Sequence, residues 1–71
     1  MNGVKMMKIK VNGREIVFYK KTVKELVGQY KMDPAKIVVE RNGEIVHREA
    51  FETLALQEDD VVEIARFVGG G

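Results

Sequence analysis

The stretch MKIKVNGREIVFYKKTVKELVGQYK (residues 7–31) changes its apolar period once, and that change decides the fold. Met7, Ile9 and Val11 alternate with Lys8 and Lys10, the period of a strand with one buried face. Asn12-Gly13 follows, two residues that tolerate the positive φ angles of a type I′ turn. Ile16 and Phe18 resume the alternation, with Val17 and Tyr19 on the opposite side, so a hairpin is predicted. From Thr22 the period is helical: Val23, Leu26, Val27 and Tyr30 stand at i, i+3, i+4 and i+7 and form one stripe. Thr22 and Glu25 have the spacing of a capping box, in which each side chain bonds the other's main-chain N–H. Gly28 costs such a helix up to ~1 kcal/mol relative to alanine, which suggests a close approach to a sheet. The helical region, residues 22–31, ends before Asp33-Pro34, because the residue preceding a proline is pushed out of the helical conformation.

Downstream, KIVVERNGEIVHRE (residues 36–49) repeats the hairpin pattern around Asn42-Gly43, with Ile37, Val38 and Val39 before the turn and Ile45 and Val46 after it. AFETLALQEDD (residues 50–60) reads as one short helical turn carrying Phe51, Leu54 and Leu56 into the core. VVEIARFV (residues 61–68) closes the domain as a strand, with Val62 and Ile64 on one face and Val61, Ala65 and Phe67 on the other. One helix covers only one face of a sheet. The expected architecture is therefore α+β, a mixed four- to five-stranded sheet with one principal helix packed on one face. The open face leaves Phe67, Ala65 and Val61 as candidates for contact with a partner.

A chain of 71 residues makes one domain that buries roughly 60% of the surface its unfolded form exposes. The net charge of +1 gives no general attraction to nucleic acid or membrane. Its distribution is uneven: residues 1–36 carry +6 and residues 37–71 carry −5, charges expected to interleave in the folded molecule. The lysines at 8, 10, 20, 21 and 24 have only Tyr19 nearby to stack on bases, so nucleic acid is not the expected partner. No segment is apolar enough for a signal peptide or a membrane span. There is no cysteine, hence no disulfide, thiolate metal site or cysteine nucleophile, which fits a reducing cytoplasm. His47 is the only histidine and has no second ligand at metal-site spacing, so it is read as a surface or strand residue. Glu58, Asp59 and Asp60 lack the spaced ligands of a calcium loop and are read as a charged turn. Neither a nucleophile with its base nor a phosphate-cradling loop can be assembled. The chain is not expected to be an enzyme, and no bound metal or cofactor is expected.

What remains is the end, ARFVGGG. The run Gly69-Gly70-Gly71 is read either as an inert tail or as a thin end that enters a narrow cleft of a partner. Residues 7–68 then form the domain and residues 69–71 a flexible tail. Residues 1–6 form an N-terminal extension of doubtful nativeness, since MKIKVNG itself reads as a natural beginning. The terminal carboxylate of Gly71 is ionised at neutral pH and is a poor electrophile. An enzyme that converts it to an acyl-adenylate with ATP makes it reactive, and glycine has no Cβ to crowd the carbonyl. Three extended residues carry that group on the order of 10 Å beyond the last strand.

MKIKVNG at the start, VVERNGEIVHREAF in the middle and EDDVVEIARFVGGG at the end resemble the ThiS family, the sulfur carriers of thiamin biosynthesis. The likeness covers residues 7–71. It implies a β-grasp, ubiquitin-like fold and a role as carrier rather than catalyst. It implies that Gly71 is adenylated by an E1-like (ThiF-type) enzyme using ATP and converted to a thiocarboxylate with sulfur from a persulfide donor. Thiazole synthase (ThiG type) then receives that sulfur. By position, Gly69 and Gly70 are the threading tail, and Val68, Phe67, Ala65 and Val61 are the residues beside it that meet partners. The free carrier is expected to be a monomer. The small subunit of molybdopterin synthase also ends in a glycine pair, but that family usually runs longer and often has proline close to its terminal glycines. Here the only proline is Pro34. Two further readings are a ubiquitin-like modifier joined to protein lysines and an interaction module whose tail is inert.

Overall fold

The computed structural model describes residues 6–67. Strands β1 (Met7–Val11) and β2 (Arg14–Phe18) form the first hairpin, and helix α1 (Val23–Gln29) crosses over to strands β3 (Ile37–Arg41) and β4 (Glu44–Val46). Strand β5 (Val61–Arg66) enters last and takes the centre of the sheet, in the order β2-β1-β5-β3-β4. It runs parallel to β1 and antiparallel to β3. This is the β-grasp arrangement.

Alternation fixes what each strand buries. Ile9, Val11, Phe18, Ile37, Val39, Val46, Val62 and Ile64 point to one face and meet Val23, Leu26 and Val27 of the helix, with Phe51 and Leu56 closing the core. Both Asn-Gly turns have the expected left-handed geometry, with φ of 52° and 80° at Asn12 and Gly13 and 52° and 84° at Asn42 and Gly43. Within the sheet the first-half strands β2 and β1 lie side by side and so do β5, β3 and β4, whereas outside it the halves meet, as in the Lys24–Glu52 ion pair at 2.8 Å and the Lys8 N–H bonded to the Glu58 carboxylate.

The helix begins as its sequence predicts. Thr22 Oγ1 accepts from the Glu25 N–H at 3.2 Å, and Glu25 Oε1 accepts from the Thr22 N–H at 2.9 Å. Two more unsatisfied donors of the first turn, the Val23 and Lys24 N–H groups, bond the carbonyls of Leu54 and Phe51. That explains residues 50–60: after a single 3-10 turn at Arg48–Ala50 they serve as a lid on the helix N-terminus, with Phe51 and Leu56 buried and Leu54 half-buried.

The helix ends earlier than residue 31. Lys31 adopts a left-handed φ of 58°, its N–H bonds Gly28 and the Met32 N–H bonds Val27, a Schellman closure built without glycine. Tyr30 is thereby a cap residue, 40% exposed, and the stripe is three residues long rather than four. Gly28 is also not a point of close approach, for among the described residues no atom beyond its chain neighbours and its own helix backbone lies within 4 Å of where a Cβ would stand.

The acidic run before β5 is a turn with one buried member. Asp59 is left-handed, while Asp60 is only 5% exposed. Its carboxylate accepts from Arg41 Nε at 2.8 Å, Asn42 Nδ2 at 3.0 Å and the Gln57 N–H at 2.8 Å, joining the β3–β4 turn to the entry of β5. Burial pushes this carboxyl group up, but the hydrogen bonds from Asn42, Gln57 and Arg41, with the charge of Arg41, outweigh it and hold the group below its usual range. A lowered folded value means that the stabilisation is complete above the unfolded value near ~3.9 and is lost as pH falls through the folded one. Asp60→Asn is expected to cost about 1–3 kcal/mol at pH 7, and the gap to wild type should shrink below about pH 4. Circular-dichroism melts across that range check this; a gap equally wide at pH 7 and at about pH 2.5 would refute it.

Candidate functional site

Among the described residues, the face of the sheet away from the helix carries no second layer. Along β5 it presents Val61, Glu63 and Ala65, and Phe67 continues just past the strand end; all four are exposed. The assignment of Val62 and Ile64 to the core and of Val61, Ala65 and Phe67 to the open face therefore holds. The three open-face residues are not one patch, however. Ala65 pairs across to Val38 of β3, and Phe67, 47% exposed, lies beyond it with its N–H bonded to the Lys36 carbonyl. With Pro34, Ile45, His47 and Arg48, Val38 and Phe67 line a shallow hollow of about 330 Å³. Val61 stands six residues earlier, ~20 Å along the strand, beside Lys10. Between it and Ala65 lies Glu63, directly opposite Glu40.

Val38 and Ile45 belong to this surface and were not among the residues singled out from the sequence. The continuous apolar run 37–39 hid the alternation that puts Val38 outside. The register of β4 places Ile45 beside Glu40, on the same open face.

β5 is held at its first residue and again at Ile64 by the asparagines of the two turns. Asn42 Oδ1 accepts from the Val61 N–H at 2.9 Å. Asn12 Oδ1 accepts from the Ile64 N–H at 2.8 Å, and Asn12 Nδ2 donates to the Ile64 carbonyl at 3.2 Å. One amide side chain thus continues the β1 ladder for one more residue of β5. The turn signal in the sequence accounted for the backbone of these asparagines but not for this second use.

Val68, Gly69, Gly70 and Gly71 lie outside the described residues, as do residues 1–5. The described chain ends at Phe67, beside Lys36. A larger hollow of about 630 Å³, lined by Tyr19, Lys21, Glu25, Leu56 and Glu58, lies toward the start of β1, at the end of the molecule opposite Phe67. It combines both charge signs on an open surface, and its lining does not include Phe67. His47 precedes the 3-10 turn on the surface. Among the described residues no group of three or more His, Cys, Asp or Glu is placed to hold a metal ion, and no helix is long and apolar enough to cross a membrane.

Comparison with known proteins agrees with this geometry. The model of the ThiS family matches residues 8–71. The sulfur carrier protein ThiS of Bacillus subtilis (strain 168) is 35% identical over 65 residues, covering 89% of this chain and 98% of its own. A thiazole synthase of Paramagnetospirillum magneticum is 41% identical over 66 residues, which are 92% of this chain but 20% of the synthase. The crystal structure of the thiamine biosynthesis protein ThiS from Geobacter metallireducens superposes with a TM-score of 0.78 at 35% identity, covering 92% of this chain and 100% of that one.

Proposed function

The chain belongs to the ThiS family and is a sulfur carrier of thiamin biosynthesis, and from that premise we propose that its Gly71 carboxylate is the group that carries the sulfur. The observation that supports this most directly is the placement of Phe67. A central strand, clasped by both turns, delivers the chain to the edge of the fold four residues before Gly71. An E1-like enzyme activates the carboxylate: a carboxylate oxygen attacks the α-phosphorus of ATP, and pyrophosphate leaves. The sulfur of a persulfide donor displaces AMP from the acyl-adenylate, and a thiol then cleaves the resulting S–S bond, leaving the thiocarboxylate on Gly71 and a disulfide on the donor side. The protein supplies no catalytic group of its own. It is a co-substrate, free as a monomer and acting in the cytoplasm, where ATP and thiols are abundant.

The partner that takes the sulfur is of the thiazole synthase type. In the Paramagnetospirillum protein a segment similar to this chain belongs to the same polypeptide as the synthase. Such a covalent link raises the effective concentration of two units that must meet repeatedly. The chemistry is tested by intact mass. Incubation with ATP, the E1-like enzyme and a persulfide donor should add the mass difference of one sulfur for one oxygen, located in the C-terminal peptide. A product joined to a lysine of another protein would instead favour the modifier reading.

Docking rests on the folded body, because ordering glycines costs ~1–2 kcal/mol of backbone entropy per residue. Phe67 with Ala65 provides the apolar contact beside the tail, Val61 a more distant one, and Val68, Gly69 and Gly70 thread the cleft. Phe67→Ala is expected to weaken binding to the activating enzyme by about 2 kcal/mol while leaving the fold intact, since the ring is half exposed. Calorimetric binding alongside thermal melting checks this: unchanged affinity refutes the contact, and lost stability makes Phe67 a core residue.

A further inference from the structure

The edge of β5 that faces β1 is used, then blocked, then left open. Successive residues of a strand direct their main-chain groups to alternate neighbours. In β5 the residues bonded to β3 are the odd-numbered ones, as the Asn42–Val61 and Phe67–Lys36 bonds show. The even-numbered residues face the other way. Val62 meets β1, its carbonyl accepting from the Asn12 N–H. On that side Ile64 meets no strand among the described residues, but the Asn12 side chain satisfies both its N–H and its carbonyl. Arg66 is the next in the series. β1 has ended, since its pairing with β5 covers only Val61 and Val62, and Arg66 has no main-chain partner on that side among the described residues.

We propose that the Arg66 main chain is a docking edge for an extended strand of the enzyme that activates Gly71, which pairs with β5 there and so aligns the tail with its cleft. An exposed strand edge is a template for added strands, and proteins usually blunt or cover such edges. Here the blunting stops at Ile64, immediately before the segment a partner must approach. From Arg66 to Gly71 is five residues, at most ~18 Å of extended chain, so an enzyme that holds the carboxylate is already beside this edge. Strand pairing also suits a tail that offers no side chains: recognition then falls on the main chain, which glycine leaves unobstructed. The proposal rests on the reading of Gly71 as the activated group.

The test is Arg66→Pro beside Arg66→Ala. Proline removes the N–H and places its ring on the pairing edge, but it breaks no bond to β3, because Arg66 donates none, and proline is tolerated at such edge positions. Arg66→Pro should melt close to wild type and lose roughly ten- to a hundredfold in kcat/KM for adenylation, while Arg66→Ala, which keeps the N–H, loses less than about threefold. Equal activity of the two variants overturns the proposal. If the proline variant unfolds, amide hydrogen exchange on the wild type decides: the Arg66 amide should exchange freely in the isolated protein and become protected in complex with the enzyme. An Arg66 amide unprotected in that complex overturns the pairing, and one protected without enzyme, in a concentration-dependent dimer, assigns the edge to a second copy of this chain instead. Wild type that forms no adenylate at all overturns the carrier chemistry itself, a result distinct from any of these.

Discussion

Removal of Gly70 and Gly71 is expected to abolish adenylation and to leave the melting temperature within about 4 °C of the full-length chain. The two halves of this expectation have separate causes. Among the described residues, every buried apolar one lies between Ile9 and Ile64, and the last bond of the β5–β3 ladder is Phe67–Lys36. The truncation touches neither. It does move the terminal carboxylate back by two residues, about 7 Å of extended chain, and that distance separates a group inside a catalytic cleft from one outside it. A misplacement of even about 1 Å can cost a hundredfold in rate, so a displacement of this size leaves no measurable reaction. Intact mass after incubation with ATP and the E1-like enzyme, with thermal melts on the same two samples, measures both halves. A truncated protein that unfolds readily would give the glycines a packing role. One that is still adenylated would remove Gly71 from the chemistry.

The sequence made the layout legible because alternation and turn chemistry agree at each step. Both Asn-Gly pairs sit between apolar runs of period two, and between the hairpins the period switches once. The open face of β5 was legible for the same reason: Val62 and Ile64 alternate strictly with Val61, Glu63 and Ala65. What escaped is tertiary. The helix closure at Lys31 puts a non-glycine residue in the left-handed region, a conformation that composition alone does not announce. Asp60 looks like its exposed neighbours Glu58 and Asp59, and only the fold brings Arg41 and Asn42 to it. Val38 stands in a run of three apolar residues whose inward and outward members become distinct only when β5 and β4 pair on either side. The candidate site divides along the same line. Gly71 and the residues next to it are visible in one dimension, whereas the Asn12 clasp and the open edge at Arg66 exist only when β1 is known to stop short of β5's end.

Leu26→Ala is expected to destabilise the domain by about 2–5 kcal/mol, the largest loss foreseen for any single change in the helix. Leu26 is fully buried, between Val23 and Val27 on the one α-helix among the described residues, which covers the sheet. A small domain has no second layer that can collapse into the space left behind, so both the transfer and the cavity contributions are felt. Stability scales at roughly 0.05–0.15 kcal/mol per residue, about 4–11 kcal/mol for a chain of this size. The substitution therefore removes a large part of the total, and the melting temperature should fall by roughly 10–30 °C. Tyr30→Ala provides the comparison. The stripe written into the sequence gives Tyr30 the same standing as Leu26, but the Schellman closure turns it to the surface, so its loss should cost less than about 1 kcal/mol. Denaturant titrations of the two variants decide between these descriptions of the helix. Equal costs would return Tyr30 to the core and extend the helix through it, and a small cost at Leu26 would remove the helix from its place over the sheet.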